Sequence, residues 1–431
     1  MDIGENILQL SDTVEFDDSI LSYEYDEYNP IIGTHFNSAG VINITIENFD
    51  QFIHPHKSGL LIQGKLVKQA DKSAYGDNDL IALVNNALPH LFSNIRYSLG
   101  GKEIESINNP GQASTMFNIL TRSSDFAQGV GMAECWTPDS GDGTAAAANI
   151  GFARRQAYII KQSDPNGTFS FLIPLKSIFG FCADYQKVMY GLRHHVTAVR
   201  QSDDEAVFRA AGVAAGTCEL TKVSWLMPRV KPNDVRKVAL YKQMAENTSY
   251  EVAYRQHACD TFIIPETTKT TWRVGVRAAP EKPSFIIIGL QTAKAGDQTK
   301  NTGIFDHCKV KNMHVILNTQ RYPEMDCTTD FDKMQFSEVY QAFADFNMNY
   351  YGIDKMVTNS SVDPTDFRNL YPLHVFNVSK QSERLLNGIV DITVEMSFHD
   401  NCPANTQAFA LILSNRVLKL RSDGQQMDII Q

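Results

Sequence analysis

Asp306-His307-Cys308 sets an acid, an imidazole and a thiol side by side, the residue types of a nucleophile with its base. Adjacent residues on a strand or loop rarely face one substrate, and triads are assembled from segments far apart in the chain. The run therefore reads as a structural histidine beside a core cysteine, with Phe305 and His307 bracing a loop. His54-Pro55-His56 and His194-His195 supply paired imidazoles. Residues two apart on an extended segment share a face, so the first pair has the geometry for a metal. No third ligand is apparent, and both pairs read as surface or turn histidines. Glu103 and Glu105 would share a strand face, the paired carboxylates a hydrolase or amidase requires, but just past a hairpin turn they are expected to be exposed. Gly129-Val-Gly131 lacks the third glycine and the strand-to-helix context of a dinucleotide site. No GxxxxGK[ST], GxSxG, HExxH or EF-hand spacing occurs. No catalytic, cofactor-binding or metal-ligating residue is assigned, no cofactor is expected, and an enzyme is not expected.

The elements that carry these residues belong to a chain of 431 residues, long enough for two domains of roughly 200. With 43% hydrophobic and 20% charged residues it can bury sizeable cores. Its longest apolar runs, such as Phe285–Ile288, are strand-length, so no transmembrane segment is expected, and without a basic n-region ahead of an apolar h-region secretion by a signal peptide is not expected. Seven scattered cysteines without CxxC spacing argue against a disulfide framework or a zinc site and suit a reducing compartment. The five Asn-x-Ser/Thr sequons mean little without a secretory route. Of the net charge of -10, nine acids and no base fall in residues 1–30, leaving the rest of the chain nearly neutral. Such an arm repels phosphates and favours a basic partner, or is simply a solvated tail. Basic residues elsewhere are interspersed with acids, without the aromatic-plus-Arg stripe of a nucleic-acid surface.

Residues 1–30 show no sustained periodicity and read as an acidic N-terminal arm, with Ile7, Leu8, Leu10 and the Tyr23/Tyr25/Tyr28 cluster able to dock. From Gly33 the pattern turns β: Ile42, Ile44 and Ile46 alternate with polar residues, Leu60–Val67 is a second strand, and Ile95, Tyr97 and Leu99 lead into the Gly100-Gly101 turn. Asn109-Pro110-Gly111 precedes a helical stripe of Ala113, Met116, Phe117 and Leu120. Residues 129–150, rich in Gly and Ala, read as a long exposed loop. Strands follow at Phe169–Leu175, Val196–Arg200 and Glu219–Leu226. Pro232-Asn233-Asp234 then starts a short helix through about Ala245, with Val235, Val238 and Ala239 on a sticky side.

The second half retraces this order. Trp272, Val274 and Val276 answer the first strand, and Phe285–Leu290 answers Leu61–Leu66 with Gly289 where Gly64 stood. Asn312–Leu317 answers Asn94–Leu99. Phe336, Val339, Tyr340 and Phe343 form a helix that answers the one at Ala113, and the Phe343/Phe346/Tyr350/Tyr351 cluster reads first as core. Pro372-Leu373 answers Pro174-Leu175, and Asp391–Val394 and Ala408–Leu413 close the copy. The chain reads as a tandem duplication of one β-rich unit. The fold expected is all-β: two tandem eight-stranded antiparallel jelly-roll sandwiches with short inserted helices. The expected boundaries are an acidic arm at 1–30, a first jelly roll at 31–230, a connecting helix at 231–248 and a second jelly roll at 249–431. Residues 129–150 and 292–304 would emerge at one end.

The residues also carry a family likeness. Leu220–Arg229, Glu281–Thr292, Phe305-Asp306-His307, Leu317-Asn-Thr with Tyr322-Pro323, Asn349-Tyr-Tyr-Gly352 and Val390–Glu395 are the reminiscent segments, with His56-Lys57-Ser58, Gly64-Lys65-Leu66, Asn85-Asn86-Ala87 and Ile95-Arg96-Tyr97 in the first half. Over roughly residues 31–420 the chain resembles the double-jelly-roll major capsid proteins of Polinton/Maverick elements and adintoviruses. The resemblance implies a structural subunit that forms homotrimers of pseudo-hexagonal outline and tiles an icosahedral shell around double-stranded DNA. Its partners would be itself, neighbouring capsomers, and penton and minor capsid proteins. DNA would be enclosed without sequence-specific binding. The protein would be made in the host cytoplasm, assemble in cytoplasm or nucleus, and end in the virion capsid. The acidic arm is expected on the inner side, against a neighbour or a basic internal protein. The rival reading is a two-jelly-roll glycan- or receptor-binding module with an aromatic or Asp/Asn cluster at a loop end.

Overall fold

A computed structural model describes residues 19–31, 36–37, 40–47, 50–161, 167–246, 249–275, 282–353, 360–381, 390–422 and 427–430. Ile7, Leu8 and Leu10 of the arm, Val276 of the predicted alternation and Glu281 of the family-like segments lie outside them. Among the described residues sixteen strands form the common frame of the two sandwiches, and the short strands Phe52–Ile53 and Met427–Ile429 add to one sheet of the first and of the second respectively. The first eight are β1 (Ile20–Tyr28), β2 (Val41–Ile46), β3 (Gly59–Lys68), β4 (Phe92–Leu99), β5 (Lys102–Asn108), β6 (Thr168–Pro174), β7 (His194–Arg200) and β8 (Gly216–Pro232). The second eight are β9 (Ser249–Ile264), β10 (Lys269–Arg273), β11 (Lys282–Thr292), β12 (Val310–Leu317), β13 (Gln320–Tyr322), β14 (His374–Asn377), β15 (Ile392–Phe398) and β16 (Thr406–Ser422).

The first sandwich pairs β1-β8-β3-β6 in one sheet and β2-β7-β4-β5 in the other. The second pairs β9-β16-β11-β14 and β10-β15-β12-β13. Adding eight to each strand number converts the first order into the second, and all these pairings are antiparallel. Each unit is an eight-strand jelly roll. Period-2 alternation produces the half-buried strands: in β7 His194, Val196 and Ala198 point inward while His195, Thr197 and Val199 are half-buried. Strand β11 is buried on both faces from Pro283 to Gln291, as its unbroken Phe285–Ile288 run requires. Each such side chain removed from water stabilises by roughly 1.5–3 kcal/mol. Gly64 and Gly289 sit at matching places on β3 and β11. A Cβ on Gly64 would lie 2.8 Å from the Phe169 ring and one on Gly289 2.6 Å from that of Phe305, so both glycines make room for an aromatic ring.

Helices fill the connections: α1 (Pro110–Thr121), α2 (Ile150–Ile159), α3 (Gly180–Asp184), α4 (Asp234–Ala245), α5 (Ser337–Ala344) and α6 (Phe346–Tyr351). Helices α1 and α5 follow corresponding strands, and α4 links the two jelly rolls.

Four sequence expectations change. Residues 20–28, expected in the arm, are the edge strand β1, registered on β8 from Ile20↔Pro232 to Tyr28↔Trp225. Its acids meet the neighbouring strand's bases, Glu24–Arg229 at 3.0 Å, Asp26–Arg229 at 3.4 Å and Glu27–Lys222 at 2.7 Å. The corresponding strand β9 was likewise not foreseen. Residues 129–150 are not an exposed loop: Trp136, Thr137, Asp139 and Asn149 are buried, and a short 3-10 turn at Val130–Glu134 leads toward α2. Finally, Pro174 ends β6 whereas Pro372 precedes β14, so those two prolines stand at opposite ends of equivalent strands.

Candidate functional site

The densest polar chemistry lies along the seam where the two jelly rolls meet. At its centre is Glu105 on β5. The register of β4 on β5 shifts between Tyr97↔Glu105 and Ser98↔Glu103, leaving Ile104 as an extra residue. That bulge breaks the shared strand face expected for the two acids. Glu103 stays exposed and Glu105 is 1% exposed, contrary to the sequence expectation for Glu105. Its carboxylate accepts three backbone N–H bonds: from Gly180 at 2.9 Å, Phe181 at 3.0 Å and His257 at 2.8 Å. Gly180 and Phe181 open α3, where first-turn amides lack helical partners. His257 lies on β9, so one side chain ties the first jelly roll to the second. Burial pushes the Glu105 carboxyl up to about 7, outweighing the three N–H bonds that favour its charged form.

Around Glu105 the rolls interlock. The Tyr254 hydroxyl donates to the Ile104 carbonyl at 2.9 Å, and Arg416 reaches the same oxygen. Arg255 grips Asp184 through Nε at 2.9 Å and Nη2 at 2.5 Å, with its guanidinium 3.6 Å from the Tyr350 ring centroid. Gly180 passes so close to β9 that a Cβ there would fall 1.6 Å from the Arg255 carbonyl oxygen. Phe117 on α1 packs against His257 at 4.6 Å and Tyr350 at 5.4 Å.

A second cluster closes the loop end of the seam. Asp139 accepts from Arg155 at 2.5 Å, Asn149 at 2.8 Å and Asn301 at 2.9 Å, and its backbone exchanges two hydrogen bonds with the Tyr371 hydroxyl. Asn301 and Tyr371 come from the second roll, which is how the Gly/Ala-rich segment is held down. Gln298 donates to the Gly216 carbonyl and accepts from its amide, both at 2.8 Å, and donates to Asp204 at 2.9 Å.

Of the residues singled out for chemistry, His54 and His56 come together, their rings stacked at 5.9 Å, while the others turn to separate partners. Asp306 accepts from the Thr292 amide at 2.8 Å and pairs with Lys294 at 3.0 Å. His307 stacks on Phe331 at 4.9 Å and accepts from the Lys309 amide at 3.0 Å. Cys308 contacts the Thr292 hydroxyl at 3.3 Å, and its hydrogen bond to Cys402 together with burial pushes its thiol far up. Three neighbouring side chains thus face three different partners rather than one another. They line a cleft of about 800 Å³ with Asp142, Lys309 and Asp400. His54 meets the Tyr23 hydroxyl at 3.0 Å and His56 the Cys182 carbonyl at 2.8 Å. His194 is buried against the Tyr97 hydroxyl at 2.7 Å, while His195 turns the other way to Thr45 at 2.7 Å. Among the described residues no group of three His, Cys, Asp or Glu side chains is placed to hold a metal ion. The seven cysteines are free thiols, and among the described residues no helix is long and apolar enough to cross a membrane. Glu105 and Asp139, the residues that matter at the seam, went unassigned in the sequence because their partners lie up to 232 residues away.

Two jelly rolls of one strand order, joined along a buried polar seam, define a double jelly roll. The sequence profile of the double jelly roll-like domain matches residues 146–418, and the chain belongs to that family. No curated protein matches the chain. Among solved structures, a chain of the Sputnik virophage cryo-EM structure is similar with a TM-score of 0.62 at 8% identity, covering 98% of this chain and 91% of that one. PBCV-1 VP54 fitted into a Sputnik reconstruction gives a TM-score of 0.56 at 11% identity, covering 97% and 99%. The mavirus major capsid protein gives 0.55 at 10% identity, covering 98% and 92%. At these identities the likeness establishes the fold.

Proposed function

We propose that the chain is a major capsid protein, built to tile a shell rather than to catalyse. The observation that carries this reading is the seam. Glu105, Arg255 and Asp139 fasten two sandwiches of identical strand order into one body. A chain that offers two near-equivalent sandwiches as a unit lets three copies present six, a pseudo-hexagonal tile with threefold symmetry. Similar structures named as major capsid proteins, from mavirus and Faustovirus, support the role. The trimer, its neighbours, and penton and minor capsid proteins are then the partners, and the virion capsid is the location. Double-stranded DNA would be enclosed without sequence readout, since the body of the chain is nearly neutral and its phosphates can be neutralised by other cations.

The rival glycan-binding reading draws on the cleft lined by Asp142, Asp306 and Asp400 at a loop end. Electron microscopy of the expressed chain across salt and pH tests the proposal: closed shells or hexagonal arrays are expected. Dispersed single molecules under every condition, together with specific hits on a glycan array, would replace the capsid reading with the binding-module one.

A further inference from the structure

Helix α4 is a surface element whose exposed side has no described neighbour to explain it. Along its length only Met244 is buried, while Val235 is 78% and Val238 53% exposed. Val235, Val238, Ala239 and Lys242 recur at i, i+3, i+4 and i+7 and so share one face, which points away from Met244. Ile20 and Leu21, 52% and 58% exposed, adjoin it, because Ile20 pairs with Pro232 and the Asn233 amide donates to the Ser19 carbonyl at 2.9 Å. Lys242 belongs to this stripe, Arg236 flanks it and Lys231 precedes the helix, whereas Lys237 falls on the Met244 side. Neither Arg236 nor Lys242 forms an ion pair with a described residue, although β1, a few residues away, pairs its acids with Arg229 and Lys222.

Residues 1–18, outside the described residues, join the chain at this spot through Ser19. They hold six acids and no base. Once β1 is set apart from the arm, a pattern emerges that the full 30 residues obscure. Ile3, Ile7, Leu10 and Val14 recur at i, i+4, i+7 and i+11, one face of a helix, with Glu5 and Asp12 on the other side and Glu15 at the edge of the stripe. We propose that residues 1–18 dock on α4 of the same molecule, apolar stripe to apolar stripe, with Glu15 at the edge of the contact beside Arg236 and Lys242. Reach is ample: eighteen residues extend to roughly 60 Å, whereas the twelve of α4 span only about 18 Å. The tether begins beside the helix N-terminus, and a short tether gives an effective concentration in the mM range, above that of a neighbouring copy in dilute solution. This inference concerns one molecule and does not depend on the capsid reading.

Zero-length carbodiimide cross-linking of the full chain tests it, because amide bonds form only where a carboxylate already touches an amine. A mixture of nitrogen-14 and nitrogen-15 chains separates contacts within a molecule from contacts between copies. The expected products join Glu15, at the edge of the apolar stripe, to Lys242 and carry a single isotope label. They should fall more than about tenfold in the Val235→Asp/Val238→Asp variant, and equally in Ile7→Asp/Leu10→Asp, whose substitutions touch no described contact of the fold. Cross-links that leave Lys242 out, that persist in both variants, or that join differently labelled chains would overturn the proposal.

Discussion

Replacing Glu105 asks how much of the protein's rigidity rests on one side chain. Glu105→Ala removes an acceptor shared by Gly180, Phe181 and His257 and leaves three buried N–H groups facing a void. An unsatisfied buried donor costs about 1–3 kcal/mol, so the loss should be roughly 3–6 kcal/mol after partial relaxation, a large part of a typical 5–15 kcal/mol stability. Because those donors come from both jelly rolls, urea unfolding should separate into two transitions instead of one. Glu105→Gln adds a pH signature. Burial raises the carboxyl from an ordinary 4.5 to about 7, so the stability its protonated form contributes is fully present below pH 4.5 and lost as pH rises through 7. The decline is worth at most about 1.4 kcal/mol per pH unit within that window. The glutamine resembles the protonated acid and does not titrate. Its deficit against the wild type, largest below pH 4.5, should therefore shrink as pH rises through 7. A deficit that widens with pH would mean that the N–H bonds outweigh burial and that Glu105 is charged at neutral pH, refuting the reasoning.

Further outcomes are expected elsewhere. Asp139→Asn leaves Arg155 buried without its carboxylate and should cost about 3–5 kcal/mol in urea unfolding. Gly180→Ala forces a methyl onto the Arg255 carbonyl and should lower stability by roughly 1–3 kcal/mol, read as a lower melting temperature. Burial depresses His90 and His194 to about 3 and His257 and His374 to about 4, from an ordinary 6.5. The stability that these neutral rings contribute is present above pH 6.5 and lost as pH falls toward those values, so denaturant midpoints should drop steeply between pH 6 and 4. Deleting residues 1–18 should leave the melting temperature nearly unchanged, whereas deleting 1–30 removes β1 from β8 and should lower it clearly.

Strands buried in pairs of sheets were legible because their chemistry is local. The alternation of Ile42, Ile44 and Ile46, the run Phe285–Ile288 and the Gly64/Gly289 match each report one buried face without reference to distant residues. Strand β1 was not legible, since an edge strand with Ile20, Leu21, Tyr23 and Tyr25 exposed keeps its acids in solvent and resembles a tail. Strand β9 escaped for a related reason: its buried Val252, Tyr254, His257 and Cys259 are separated by half-exposed seam residues that blur the alternation. Glu105 was hidden by a one-residue bulge, which reverses the face of every later side chain yet leaves no mark in composition. The Gly/Ala-rich segment looked like solvent-exposed loop because Asp139 finds Asn301 and Tyr371 only after the second roll has folded against the first.

The most direct test of the capsid account is the absolute mass of the purified full-length chain, taken by light scattering across a concentration series. The account predicts a species near three times 48.2 kDa, about 145 kDa, that gives way to closed particles. A strict monomer at every concentration, salt and pH would contradict it.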